Sequence, residues 1–109
     1  MQNQGIGLLD EALDLARLEM NALQDGAYEN AVDLAKQRGV LTGQAWDLYN
    51  VDEHDAYHAR LSELNEMQQI LTEAARRIQD KLQKSLARAR QEKRRMRGYH
   101  LAVGQALMQ

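Results

Sequence analysis

The chain has 109 residues and a mass of 12.4 kDa, with 44% hydrophobic residues, 28% charged residues and a net charge of −2. This length favours one domain with a modest core and does not fit a two-domain enzyme with an interdomain cleft. The chain has no Cys, which excludes disulfides, thiolate metal sites and a cysteine nucleophile. It also has no Pro, which favours long helices joined by few turns.

The net charge conceals an asymmetry along the chain. Residues 1–55 carry 11 acidic and 3 basic side chains, a net charge of −8, whereas residues 56–109 carry 5 acidic and 11 basic ones, a net charge of +6. Residues 76–97 alone hold 10 basic and 2 acidic side chains. The first nine residues show neither a basic leader nor an apolar run, and no stretch approaches the ~20 apolar residues of a membrane span. We therefore expect a cytoplasmic protein with no membrane insertion.

The first half of the chain predicts two amphipathic helices. Apolar residues recur every three or four positions over about residues 7–24 and again over about 27–49. The predicted stripes are Leu9, Ala12, Leu13, Ala16, Met20 and Leu23 in the first helix, and Ala31, Leu34, Arg38, Leu41, Ala45 and Leu48 in the second. Gly26 suits the left-handed conformation that follows a helix end, and Asp25 is expected to cap the second helix. Gly39 and Gly43 each cost ~1 kcal/mol in a helix interior, so either a neighbouring helix approaches there or the helix bends. One continuous second helix is the prediction, and a break at these glycines is the open alternative.

The second half predicts one long helix. Asn50 to Glu53 forms a break in which Asn50 or Asp52 can cap, and no turn signal follows until Gly98. A sustained heptad pattern, interrupted mainly by Gln68 and Glu92, predicts a helix over about residues 52–97. The predicted fold is all-α: an antiparallel helical hairpin or three-helix bundle in a single domain, 1–109, with a long C-terminal helix. A short fourth helix over about 99–108 is the alternative, and the conformation of residues 98–109 stays open.

The long helix leads to a functional hypothesis. Helices of about 20 residues cannot cover one of about 45, so an apolar stripe remains without an intramolecular cover. A stripe of this kind is typical of a partner-binding surface, where the partner is a second copy or another protein's amphipathic segment. Tyr99 follows the basic run and suits an interface anchor. The stripe comprises Leu82, Leu86, Ala89, Met96, Tyr99 and Val103.

Other motifs favour structural interpretations. His54 and His58 have the spacing of a zinc-binding helix, but a third ligand is not evident, so we expect solvated histidines and no metal or other cofactor. No residue pattern predicts catalysis. Trp46 and Tyr49 are expected in the core or at the end of the bundle. The basic face, either a solvated helix face or a phosphate-binding one, comprises Arg88, Arg90, Arg94, Arg95 and Arg97.

Three segments carry a resemblance to a known family. They are Leu18-Glu19, the run from Ala22 to Glu29 through Asp25-Gly26, and the run from Leu34 to Arg38 followed by Leu41. With the basic residues from Arg94 and the Tyr at position 99, this pattern resembles the small flagellar export chaperones of the FlgN and FliT type over nearly the whole chain. The sequence departs from the family pattern at Gly39 and Gly43, and at Ala27, where an Asp often follows the turn glycine.

The resemblance implies a cytoplasmic, non-enzymatic chaperone of type III export. It would bind the C-terminal helical region of a flagellar filament-cap or hook-filament-junction protein, prevent premature assembly and deliver it to the export gate. It implies export-gate binding at Tyr99 and client binding at the other stripe residues, Leu82, Leu86, Ala89, Met96 and Val103. The alternatives are a homodimeric coiled-coil module without an export role and a basic-helix nucleic-acid binder. The client and the choice between monomer and dimer stay open.

Overall fold

The computed structural model describes the backbone of residues 4–108 and the side chains of residues 4–99. Within these residues the regular elements are helices α1 (Gln4–Gln24), α2 (Tyr28–Asp47) and α3 (His54–Met108), with a 3-10 turn at Val51–Glu53. The predicted all-α class with a long C-terminal helix is confirmed. Helix α1 begins three residues earlier than the sequence predicts, and α3 begins at His54 because the 3-10 turn precedes it.

The turn between α1 and α2 has the hydrogen bonds of a glycine-terminated helix. The Gly26 N–H donates to the Leu23 carbonyl at 3.3 Å and the Ala27 N–H donates to the Ala22 carbonyl at 2.8 Å. Gly26 has a φ of +77°, as its role in the turn predicts. The prediction that Asp25 caps α2 is wrong, because the cap position is Ala27 and no side chain caps the helix there. At the second turn, the Asn50 side chain does accept from the Asp52 N–H at 3.0 Å, as predicted.

Helix α3 passes through Gly98 and ends at Met108. Residues 99–108 are therefore the last part of α3 rather than a separate fourth helix, and the predicted end at about residue 97 is wrong. A single glycine costs about 1 kcal/mol in a helix interior, which does not stop a helix that continues on both sides of it. The side chain of Val103, which the sequence assigns to the stripe, lies outside the described residues.

Helix α2 is continuous through Gly39 and Gly43, as predicted. A Cβ atom added at either glycine would meet nothing within 4 Å, so neither position serves a close helix approach. We expect Gly39→Ala and Gly43→Ala each to raise the free energy of unfolding by about 1 kcal/mol, because Ala is the better helix former. Thermal unfolding measures the change, and Gly26→Ala is the control, expected to lose stability because its φ is positive. A loss of stability at position 39 or 43 would contradict the prediction.

The chain divides into two compact units, residues 1–75 and residues 76–109. In the first unit the core joins all three helices: Leu9, Ala12 and Ala16 of α1 are completely buried, and Ala45 of α2 and Tyr57 of α3 are 1% exposed. The Tyr57 hydroxyl donates to the Leu48 carbonyl at 3.0 Å. Small residues at positions 12 and 16 lie one turn apart, which lets neighbouring helices approach α1 closely.

Polar contacts between α1 and α3 show the register of this core. Arg60 of α3 donates to Asp10 of α1 at 2.8 Å, and Arg17 of α1 lies 3.7 Å from Glu63 of α3. Because the positions rise together along both helices, α1 and α3 run parallel in the first unit and α2 runs antiparallel to them. Within the described residues, no helix combines the length and apolarity needed to cross a membrane.

Candidate functional site

The second unit presents the predicted apolar stripe on one helical face. Leu82 is 48% exposed, Leu86 and Met96 are each 57% exposed, and Tyr99 is 66% exposed. Ala89, which falls between them at helical spacing, is also exposed. We call Leu82, Leu86, Ala89, Met96 and Tyr99 the apolar stripe. The predicted site residues among the described side chains are therefore accessible to a partner.

Basic side chains flank the stripe on both sides. Arg90, Lys93, Arg94 and Arg97 recur at helical spacing and line a shallow depression of about 150 Å³, and we call them the basic cluster. At 100° per residue, Arg88 and Arg95 fall on the opposite flank of the stripe. An apolar strip with cations along both edges fits an amphipathic segment whose apolar face is edged by carboxylates.

An aromatic and histidine cluster lies at the junction of α2 and α3. The Tyr49 and Tyr57 rings meet edge to face at 5.1 Å, and the Tyr49 hydroxyl lies 2.8 Å from His54 Nδ1. Trp46 lies 5.9 Å from the Tyr49 ring, at the end of the bundle and outside the core, because its side chain is 53% exposed. His54 and His58 are both exposed. Among the described residues, no three His, Asp or Glu side chains converge as a metal site.

A groove between α1 and α2 is a feature that the sequence reasoning missed. It has a volume of about 640 Å³, and its apolar lining is Leu15, Val40 and Leu41. The available signal was Val40, an apolar residue outside the predicted core stripe of α2 that proves to be 60% exposed. Its polar lining is Glu11, Asp14, Lys36, Gln37 and Gln44.

Compared with protein-family models, curated proteins and solved structures, the chain shows no match to any of them. The fold and these surfaces define a helical protein with an accessible basic and apolar helix face.

Proposed function

We propose that the protein is a helical chaperone of flagellar type III export that binds the C-terminal helical region of a filament-cap or hook-filament-junction protein. The observation that carries the proposal is the apolar stripe. Its residues Leu82, Leu86 and Met96 are each about half exposed on a strongly basic helix. The resemblance of the turn and basic segments to FlgN- and FliT-type chaperones supports the same role. The proposed setting is the cytoplasm, and the proposed role involves no catalysis and no cofactor.

The stripe suits a helical client for energetic reasons. Complete burial of a Leu or Met side chain contributes about 1.5–3 kcal/mol, so three partly exposed side chains provide an anchor of useful strength. Basic residues on both flanks accelerate encounter with an acidic partner and set its orientation. A client helix with Leu or Ile at three- and four-residue spacing and acidic edges is the expected ligand.

We expect Leu82→Asp or Leu86→Asp to weaken binding of the client peptide at least about tenfold, because a carboxylate then lies in the apolar contact. Titration calorimetry with C-terminal peptides of cap and junction proteins measures the loss. Circular dichroism is expected to show unchanged helicity, since both side chains are exposed. Gln83→Asp is the matched control, because it adds the same charge off the stripe. Normal client binding by both Leu variants would contradict the assignment.

Tyr99 tests the second half of the proposal, the contact with the export gate. Its side chain is 66% exposed at the end of the described stripe. We expect Tyr99→Ala to spare client binding and to weaken binding to the export-gate protein. Equal loss of both interactions, or of neither, counts against a separate gate-binding role.

The homodimeric coiled-coil module remains a second candidate, because the heptad pattern that predicts the stripe also suits self-association. It predicts twice the monomer mass in solution and no affinity for any client peptide. Binding to nucleic acid, the third possibility, requires affinity that falls steeply with salt. Absence of binding at low salt eliminates it.

A further inference from the structure

The groove between α1 and α2 has the size and the apolar lining to receive another helix. Its apolar lining consists of Val40, which is 60% exposed, and the half-buried Leu15 and Leu41. The α1 edge carries Glu11 and Asp14, and both carboxylates are exposed. The lined part of α2 runs from position 36 to position 44, about 12 Å of helix, which is enough to receive two turns of another helix.

Charge identifies the helix that complements this groove. Residues 1–75 hold 14 acidic and 4 basic side chains, a net charge of −10, whereas residues 76–109 hold 10 basic and 2 acidic ones, a net charge of +8. The basic unit also has the exposed apolar stripe, and from Leu86 to Met96 the stripe spans about 15 Å.

The acidic unit thus contains a groove with an apolar lining, edged by Glu11 and Asp14 on α1 and by Lys36 on α2. Asp14 is also paired with Arg17, so Glu11 is the main free carboxylate of the groove. The basic unit contains a helix with an apolar face.

We propose that the apolar stripe of one copy docks in the α1–α2 groove of a second copy, reciprocally, to form a symmetric dimer. Leu86 and Ala89 of one copy cover Val40 of the other, and the basic cluster faces Glu11 and Asp14. In this reciprocal arrangement each copy contributes the same two surfaces, and the two identical contacts are related by a two-fold axis. Each docked helix completes a four-helix arrangement with the three helices of the first unit.

The alternative dimer, in which the two stripes contact each other, is disfavoured by repulsion between like charges. It places a segment of net charge +8 against an identical one. Like charges across an interface cost free energy, whereas the groove offers carboxylates on its α1 edge. The charge pattern therefore favours docking in the groove over a coiled coil of two basic helices.

This inference goes beyond the proposed function and does not depend on it. A reciprocal dimer covers the stripe of both copies when no client is present, and a client that binds the stripe must then compete with the second copy. Client binding without dimerisation would refute this inference alone, and dimerisation without client binding would refute the chaperone proposal alone.

The first test is the mass of the full chain in solution, measured by analytical ultracentrifugation. We expect twice the 12.4 kDa of one chain at low salt, with weaker association at 1 M salt, where charges are screened beyond about 3 Å. Val40→Arg is expected to raise the dissociation constant on the order of tenfold or more, since it places a cation in the apolar lining of the groove. Val32→Arg is the matched control on the same helix, because Val32 is 52% exposed and does not line the groove. A monomer under all conditions, or equal effects of the two variants, would overturn the proposal.

The second test identifies the contacting faces by disulfide trapping. The chain contains no native Cys, so only the introduced thiols can form a disulfide. A Val40→Cys chain mixed with an Ala89→Cys chain is expected to give a crosslinked heterodimer on mild oxidation. Crosslinking of Ala89→Cys chains preferentially with each other would indicate stripe-to-stripe pairing and overturn the proposal. A disulfide confined within single chains of the Val40→Cys, Ala89→Cys double variant would also overturn it.

Discussion

Gly5→Ala is expected to lower the free energy of unfolding by about 3 kcal/mol, although Ala is the better helix former. A Cβ atom at position 5 would overlap the Tyr57 hydroxyl and lie 3.1 Å from the Ala45 carbonyl oxygen. Tyr57 cannot move away easily, because it is 1% exposed and its hydroxyl donates to the Leu48 carbonyl. Overpacking of this kind costs about 1–3 kcal/mol or more. Chemical denaturation monitored by circular dichroism measures the loss.

Gly7→Ala provides the matched control on the same helix. A Cβ atom at Gly7 meets nothing within 4 Å, so the substitution is expected to leave stability unchanged or to raise it by up to about 1 kcal/mol. Tyr57→Phe removes the obstructing oxygen at a cost of about 1 kcal/mol for its hydrogen bond. The Gly5→Ala, Tyr57→Phe double variant should therefore lose less stability than the two single changes together. Equal effects of the Gly5 and Gly7 substitutions would show that the close approach is absent.

The contact between Gly5 and Tyr57 marks the limit of what the sequence predicts. The three- and four-residue periodicity identified one apolar face of α1, of which the structure buries Leu9, Ala12, Leu13 and Ala16 and leaves Met20 and Leu23 half-buried. Periodicity within one helix reports which face is apolar, but it contains no information on the register between helices. The need for a glycine at position 5 follows from the packing of Tyr57 of α3 against α1, which the sequence pattern of α1 does not contain.

The polar residues on the predicted stripes show the same limit. Gln68 interrupts the heptad pattern of the long helix, and Arg38 falls on the apolar face of α2. In the structure the Arg38 guanidinium donates to Gln68 Oε1 at 2.7 Å and to Glu19 Oε2 at 3.1 Å. The polar residues that interrupt the apolar stripes of α2 and α3 thus bind each other, and Arg38 links α1, α2 and α3 through Glu19 and Gln68. The α1–α2 groove was missed for a related reason, since a groove is defined by two helices and periodicity describes one.

Arg38→Met is expected to lower the free energy of unfolding by about 3 kcal/mol. The Glu19 side chain is 10% exposed and the Arg38 side chain is 14% exposed, so removal of the guanidinium leaves a carboxylate in the bundle without its ion-pair partner. Breaking a fully buried ion pair in this way lowers the free energy of unfolding by about 3–5 kcal/mol. Because both side chains here keep some exposure to solvent, the expected loss lies at the lower end of that range. Denaturant unfolding curves measure the change.

Arg17→Met is the matched control for this prediction, because Arg17 pairs with Asp14 at 2.8 Å while its side chain is 58% exposed. Exposed ion pairs contribute about 0–1 kcal/mol, so the same substitution there should have little effect. Glu19→Leu combined with Arg38→Met should recover most of the stability, since apolar residues then replace both charges. If the two Arg substitutions cost the same, or if the double variant is no more stable than Arg38→Met, the buried pair does not stabilise the packing of α1 against α2. The three-helix register would then depend on the apolar core and the Tyr57 contact alone.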